Sequence, residues 1–420
     1  MKLPKDFESY FLERWHNEDV EALVRGLQTE PSVSIRLNPR RMPIDVEPEG
    51  ADGRVPWCEE GFYLADRPTF TADPLLHAGA YYVQEASSMF LSHIVRHLLP
   101  MMEEDGLSSC LDLCAAPGGK STLLRSVLPE SCLLVSNEPL RQRAQVLAEN
   151  MAKWCGPEAF VTQAYARDFS KALRGKQFFD LILADVPCSG EGMMRKEAAA
   201  VEQWSPSFVA ECAALQRSII EDIWPALRPG GVLLYSTCTF NPEEDEENVE
   251  WIIRELGAEL LPIPTENSWG IRRDLRREGH LSVAHFLPGT VRGEGFFCAA
   301  LQKLGKGLSA KNPQALRKML SVIPTLPTSQ LDIAEDVHSK QQDATTLPRV
   351  DLSLADAVRY LQREALTLPS TAPRGIVQVC FHGQRLGLVK NLGTRANNLY
   401  PKEWRIRSTY TVPHSIFYQE

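Results

Sequence analysis

A chain of 420 residues, 44% hydrophobic and 24% charged, exceeds one ordinary core and has the balance of a soluble globular protein of two or three domains. No run of eighteen apolar residues occurs, which excludes a membrane-spanning helix, and the charged opening MKLPKDFESYFLERW lacks a signal-peptide core, so a cytoplasmic location is expected. The net charge of −9 is uneven: from Lys306 onward fifteen Lys and Arg face nine Asp and Glu, a surplus of +6 that leaves −15 on the first 305 residues, as when one end meets a polyanion or when surface charge is merely unequal.

Residues 1–104 read as an α+β extension. Phe7, Tyr10, Phe11, Trp15, Val20, Leu23, Val24 and Leu27 recur at helical spacing and predict one or two amphipathic helices. The alternating segment VSIRLNPRR at 33–41 predicts a strand that Pro39 ends. Its arginines Arg36, Arg40 and Arg41 suit phosphate, or else an edge strand with solvated side chains. From Ser87 a helix is expected, with Met89, Phe90, Ile94, Val95 and Leu98 as its core stripe.

Residues 105–305 alternate strand and helix, the pattern of a doubly wound, Rossmann-like α/β sheet of about seven strands. CLDLC, CLLVSN, AFVTQA, FFDLILAD and GGVLLYST read as strands, with AELLPIP and GFFCAAL as candidates for the last two. In the long helix at 205–227, Ser205 suits the N-cap and Pro206 the first turn. Its expected buried stripe is Phe208, Cys212, Leu215, Ile219, Ile223 and Leu227. The five acids of PEEDEENVEWIIREL are expected to serve the dipole of the helix they open. Residues 306–349 lose the pattern and read as a connector with one short helix. Residues 350–420 read as a small β-rich domain, with Ser353 capping a helix and a hairpin turning at His382-Gly383. Arg395, Lys402, Arg405 and Arg407 interleaved with Tyr400 and Trp404 suit RNA, or a structural β-domain.

The chemistry gathers at strand ends, where open α/β sheets bind ligands. After the first strand comes Cys114-Ala115-Ala116-Pro117-Gly118-Gly119-Lys120-Ser121. A phosphate-binding P-loop would need glycine at position 114, and Pro117 removes an amide such a loop would use. A nucleoside cofactor with little phosphate demand remains, and S-adenosylmethionine fits. Glu138 ends the second strand and suits the ribose hydroxyls; Asp168, past the third, suits an adenine amino group; Asp185 ends the fourth. Of ten cysteines, none pair as CxxC and no Cys/His set has zinc spacing, so free thiols and no metal are expected. Two of them, Cys188 in LADVPCS and Cys238 in YSTCT, each follow a buried strand and reach the same rim.

LDLCAAPGGKS, DVPCSGEGMMRK, YSTCTFNPEEDEENVEW and RGEGFF resemble the signature blocks of the Nop/Sun family of RNA cytosine-5 methyltransferases. HAGAYYVQEASSM and SIRLNPRR are similar to that family's upstream blocks. LGLVKNLGTRANNLYPKEWRI resembles the C-terminal, PUA-like RNA-binding domain of its bacterial small-subunit ribosomal RNA branch, the RsmF type. The resemblance implies methyl transfer from S-adenosylmethionine to carbon 5 of cytosine in RNA, with 16S rRNA or the small ribosomal subunit as partner; oligomeric state is not legible in the sequence, and a monomer is the default expectation. It implies Cys238 as nucleophile, Cys188 as the residue assisting release, and Asp185 at the cytosine edge. It implies a cofactor set of Cys114 to Lys120 with Glu138, Arg143, Asp168 and Asp185, Lys120 touching cofactor or base. The block VAHFLPGTV departs from the family pattern, with His285 and Pro288 where a tighter Pro-His pair is expected. Two other readings stand beside this one: a non-catalytic RNA-binding ribosome-assembly factor, and a methyltransferase acting on another RNA such as tRNA, on protein or on a small molecule. Covalent chemistry needs an activated thiol, which speaks for the paired cysteines and against transfer to protein or small molecules.

Overall fold

The computed structural model describes residues 2–102, 106–154, 156, 158–305, 312–327, 347–407 and 414–418. Most of the expected connector, including SKQQDATT at 339–346, and Cys155 lie outside the described residues.

The N-terminal periodicity becomes helices α1 (Phe7–Leu12) and α2 (Asn17–Leu27). They are followed by a sheet in the order β2-β3-β1-β4, formed by β1 (Val33–Leu37), β2 (Ala51–Arg54), β3 (Gly61–Leu64) and β4 (Tyr81–Val83). The edge-strand reading fails, because β1 pairs with β3 on one side and β4 on the other. Arg36 on β1 is 1% exposed and donates to Gln84 Oε1 at 2.8 Å, Thr122 Oγ1 at 2.7 Å and the Gly119 carbonyl at 3.2 Å. It therefore bolts the extension to the loop after the first central strand and is not free for phosphate. A short α3 (Pro74–His77) precedes α4 (Phe90–Leu98), whose expected stripe is fully buried.

The central domain runs β5 (Ser109–Asp112), α5 (Gly119–Val127), β6 (Leu133–Asn137), α6 (Arg141–Trp154), β7 (Ala159–Thr162), α7 (Ala166–Leu173) and β8 (Phe179–Asp185). It continues through α8 (Ala198–Gln203), α9 (Pro206–Ile223), β9 (Leu227–Thr237), α10 (Glu246–Leu256), β10 (Ala258–Leu261), β11 (Ala284–Phe286) and β12 (Phe296–Lys303). Strands β5 to β9 pair in parallel, while β12 is antiparallel to β9. With β13 (Thr325–Leu326) at one edge, the order is β10-β12-β9-β8-β5-β6-β7-β13, with β11 on β12. The chain winds outward from β5 to β7 and then returns to β8 on the other side, so the switch point lies between β5 and β8. Apolar clusters cover both faces of the sheet.

The connector reading omitted a strand. Helix α11 (Pro313–Leu320) leads into β13 (Thr325–Leu326), which adds antiparallel to β7. Two residues are too few to show a period. Helix α9 starts as expected, Ser205 accepting from Phe208 N at 3.2 Å, but its buried face is Val209, Cys212, Ala213, Gln216, Ile220 and Ile223. Leu215, expected inside, is 49% exposed.

The C-terminal sheet, order β14-β15-β16-β17, is formed by β14 (Arg349–Asp351), β15 (Gly375–Phe381), β16 (Gln384–Asn391) and β17 (Ala396–Asn398), with the helix Leu354–Leu361 against it. The hairpin turns at His382 (φ 46°) and Gly383 (φ 73°), the paired positive angles a two-residue turn needs. Tyr400, offered as a stacking ring, is 1% exposed and packs on Tyr360 and Trp404. One apolar cluster joins this domain to the N-terminal extension.

Candidate active site at the carboxyl ends of β5, β6, β8 and β9

Asn137 at the end of β6 ties three strand ends together: its side chain donates to the carbonyls of Leu113 and Ala164, both at 2.9 Å, and its own carbonyl takes Ala115 N at 2.8 Å. The loop Cys114 to Lys120 hangs from this knot. Its outer edge is held by Arg143, which donates to the Ala116 carbonyl at 3.0 Å, and by Asn150, which donates to the Pro117 carbonyl at 2.8 Å. Gly118 adopts φ +118°, where a side chain is strained, and a Cβ there would press on Leu147 at 3.3 Å. Burial pushes the Cys114 thiol up, with the carboxylates of Asp185, Asp112 and Glu138 adding to the effect, so it remains a neutral wall of the loop.

Glu138 is 1% exposed; it accepts from Leu140 N at 3.0 Å and faces Arg143 at 3.3 Å. Asp168 is spent differently. On the first turn of α7, its Oδ2 accepts from Tyr165 N at 3.0 Å, closing a capping box.

At the switch point Lys120 Nζ donates to Asp185 Oδ2 at 2.8 Å, and Ser236 donates to Asp185 Oδ1 at 2.8 Å. Burial pulls the Lys120 ammonium down, but the charge and hydrogen bond of Asp185 more than reverse this and leave it above its ordinary value. Asp185 pairs in register with Ser236. Three residues past Asp185 and two past Ser236, the cysteines meet: Cys188 Sγ and Cys238 Sγ lie 3.1 Å apart as free thiols. The hydrogen bond to Cys238, then burial, holds the Cys188 thiol well above its ordinary value. Among the described residues no group of three or more His, Cys, Asp and Glu could hold a metal ion, and no helix is long and apolar enough to cross a membrane.

Of the acidic run after Cys238, Glu246 and exposed Glu247 lie in the first turn of α10, as the dipole reading expects, but most of the run is not in solvent. Glu244, Asp245 and Glu246 are each 0% exposed. Glu243 accepts from Tyr10 and Arg14, Asp245 accepts from Thr237 Oγ1 at 2.6 Å, and Glu246 meets His285 Nε2 at 2.7 Å. His285, the departure from the expected Pro-His pair, is thus a buried partner of this run. Glu244 accepts from Ser189 N at 3.0 Å, Gln216 Nε2 at 2.6 Å and Asn241 Nδ2 at 2.7 Å. Glu191 is equally buried and accepts from Trp204 Nε1 at 2.7 Å, Phe240 N at 2.7 Å and Asn241 N at 3.0 Å. Asn137, Glu191, Gln216 and Glu244 carried no sequence signal as site residues, since their partners are close only in the fold.

Comparison with known proteins follows the same layout. A family model described as 16S rRNA methyltransferase RsmB/F matches residues 97–302, one for the N-terminal domain of 16S rRNA methyltransferase RsmF matches 3–86, and one for the methyltransferase RsmF PUA domain matches 347–406. The chain is 35% identical over 285 residues to the ribosomal RNA small subunit methyltransferase F of Pectobacterium carotovorum, covering 64% of this chain and 56% of that one. It is 39% identical over 257 residues to the protein of the same name from Klebsiella pneumoniae, covering 59% and 51%. The aligned region thus spans little more than half the length of these curated relatives. Solved structures share the fold: NSun6 from Pyrococcus horikoshii with SFG at TM-score 0.58, 20% identity and coverage of 72% and 99%, and a methyltransferase homolog protein from the same organism at 0.56, 24%, and 71% and 94%. Three domain models matched in order along the chain, over a Rossmann-like sheet between an N-terminal extension and a PUA domain, show that it belongs to the RsmB/F family of 16S rRNA methyltransferases.

Proposed function

We propose that this protein methylates carbon 5 of a cytosine in small-subunit ribosomal RNA, in the cytoplasm, through a covalent adduct on Cys238. The observation that carries the reading is the pair of free thiols 3.1 Å apart beside the Lys120–Asp185 pair. S-adenosylmethionine fits the residues present. Asp112 Oδ1 is buried without a hydrogen-bond partner, Glu138 offers a carboxylate for hydroxyls, and the loop 114–120 has the close backbone approach of a nucleoside site without a phosphate-binding set. Cys114 to Lys120, Glu138, Arg143 and Asp185 would hold it, and when bound it supplies the methyl group.

Carbon 5 of cytosine is a poor nucleophile. Addition of the Cys238 sulfur to carbon 6 moves the ring's π pair toward carbon 5 and N3, and carbon 5 then takes the methyl group. Loss of the carbon-5 proton restores the double bond and expels the Cys238 sulfur. Cys188, beside the leaving sulfur, assists that release. Asp185, oriented by Lys120 and Ser236, holds the N3/N4 edge of the base, which must first leave its stack.

The test uses small-subunit RNA and radiolabelled cofactor. Cys238→Ala is expected to lose methyl transfer while retaining cofactor affinity. Cys188→Ala is expected to accumulate a protein–RNA adduct that survives a denaturing gel. Full activity of Cys238→Ala would remove the assignment, and trapping by that variant would exchange the two roles.

A further inference from the structure

The two cysteine loops are fastened to each other by crossed carboxylates. Glu191 belongs to the loop that carries Cys188, yet it grips the three residues that follow Cys238. It accepts from the Thr239 hydroxyl, from Phe240 N at 2.7 Å and from Asn241 N at 3.0 Å. Glu244 belongs to the segment after Cys238, yet it grips the residue that follows Cys188, accepting from Ser189 N at 3.0 Å. Asn241 links the two acids, its Nδ2 donating to Glu191 Oε1 at 3.0 Å and to Glu244 Oε1 at 2.7 Å. Further ties cross the same gap: Gly192 N donates to the Cys238 carbonyl at 2.9 Å, and the hydroxyls of Ser189 and Thr239 lie 3.1 Å apart. All the polar side chains named are buried to at least 97%.

We propose that Glu191 and Glu244 form a reciprocal clamp that sets the separation of Cys188 and Cys238, and are positioning residues for the two halves of the reaction. Neither touches a thiol in the structure. Glu244 acts through the amide of the residue after Cys188, and Glu191 through the Thr239 hydroxyl and the amides two and three residues past Cys238. Two buried carboxylates so near each other are costly unless each is saturated with donors, which is what the network supplies. An apolar core would hold the loops more cheaply but would not fix two sulfurs to a few tenths of an ångström. The functional half of this inference rests on the covalent reading above; the structural half does not.

The experiment therefore has two arms on the full-length protein with Glu191→Gln and Glu244→Gln. An amide oxygen cannot serve all the donors that a carboxylate serves. In the first arm, diamide takes two electrons and two protons from the thiol pair, and peptide mass spectrometry follows the rate of the Cys188–Cys238 disulfide. A slowing of about tenfold or more is expected in both variants, with cofactor affinity unchanged. In the second arm, steady-state methylation of small-subunit RNA is expected to fall about 10- to 100-fold in kcat with little change in KM, as when reacting groups are displaced by about 1 Å. Should either variant fail to fold by its thermal midpoint, Thr239→Val removes one donor to Glu191 and carries the same expectations at smaller size. Unchanged disulfide formation overturns the clamp whatever methylation does. A wild-type thiol pair that cross-links readily, together with a Cys188→Ala variant that forms no Cys238-dependent RNA adduct, overturns the proposed reaction and leaves the clamp standing.

Discussion

Asp112 ends β5 with no exposure, one oxygen taking the Ser121 hydroxyl at 2.6 Å and the other without a partner. Burial pushes its carboxyl up to about 7; the charges of Asp185 and Glu138 add to this, and Ser121 and Lys120 oppose it. Such a group binds its proton more tightly folded than unfolded. Its contribution to stability is therefore full below about pH 4 and is lost as pH rises to about 7, at about 1.4 kcal/mol for each pH unit between those limits. Asp112→Asn cannot ionise. The thermal midpoint of the cofactor-free variant minus that of wild type is expected to grow from pH 5 to pH 8, read by calorimetry; a difference that stays flat or shrinks would count against the buried, unpaired carboxylate. At this scale the sequence revealed Cys188, Cys238 and Asp185, because strand ends can be counted from apolar runs. It concealed Asp112, Glu191 and Glu244, because a buried carboxylate and a surface one look alike until their donors are seen.

The element that shows this best is α9. Its start was legible from Ser205 and Pro206, but its end and its face were not: Leu227, expected in the helix, begins β9, and a stripe chosen for hydrophobicity put Leu215 inside and left Gln216 out. Gln216 uses all its polar capacity, donating to the Pro187 carbonyl at 2.9 Å and Glu244 Oε2 at 2.6 Å, and accepting from Tyr235 at 2.9 Å and Asn248 at 2.8 Å. The helix thus buries an amide where periodicity sought an aliphatic chain, because it buttresses the cysteine loops. Gln216→Leu is expected to cost about 1–3 kcal/mol, since it strands buried partners in four directions. Leu215→Glu, on the solvent side, is expected to lie within about 0.5 kcal/mol of wild type. Denaturant unfolding of both reads the helix register; the opposite ranking would restore the hydrophobic stripe. The acidic run before α10 is the same lesson from the charge side, its first four members being fasteners to α1, β9 and His285 as well as to the cysteine loop.

Across the whole molecule, the basic C-terminal domain is fixed to the acidic body. Gln384 donates to the Arg41 carbonyl at 2.7 Å, Ile416 N donates to buried Asp73 at 3.1 Å, and the Lys153 ammonium on α6 lies 5.5 Å from the Trp404 ring. With Tyr400 in the core, Arg395, Lys402, Arg405 and Arg407 are the exposed cations of this segment that the proposed function would set against an RNA backbone. This domain's charge was legible at once, but its attachment was not, because the shared cluster joins residues more than three hundred positions apart. The first 305 residues carry −15 and repel a polyanion as a body, so a positive domain fixed beside them would orient the strand as well as attract it. Replacing Arg395, Lys402 and Arg405 with Gln is expected to weaken RNA binding at low salt and to reduce the slope of log affinity against log salt by about 2, at roughly 0.7 per phosphate contact on a single strand. Cofactor affinity should not move. Titration of labelled small-subunit RNA between about 50 and 200 mM salt reads both quantities, and an unchanged slope would show that the phosphates are met elsewhere on the molecule.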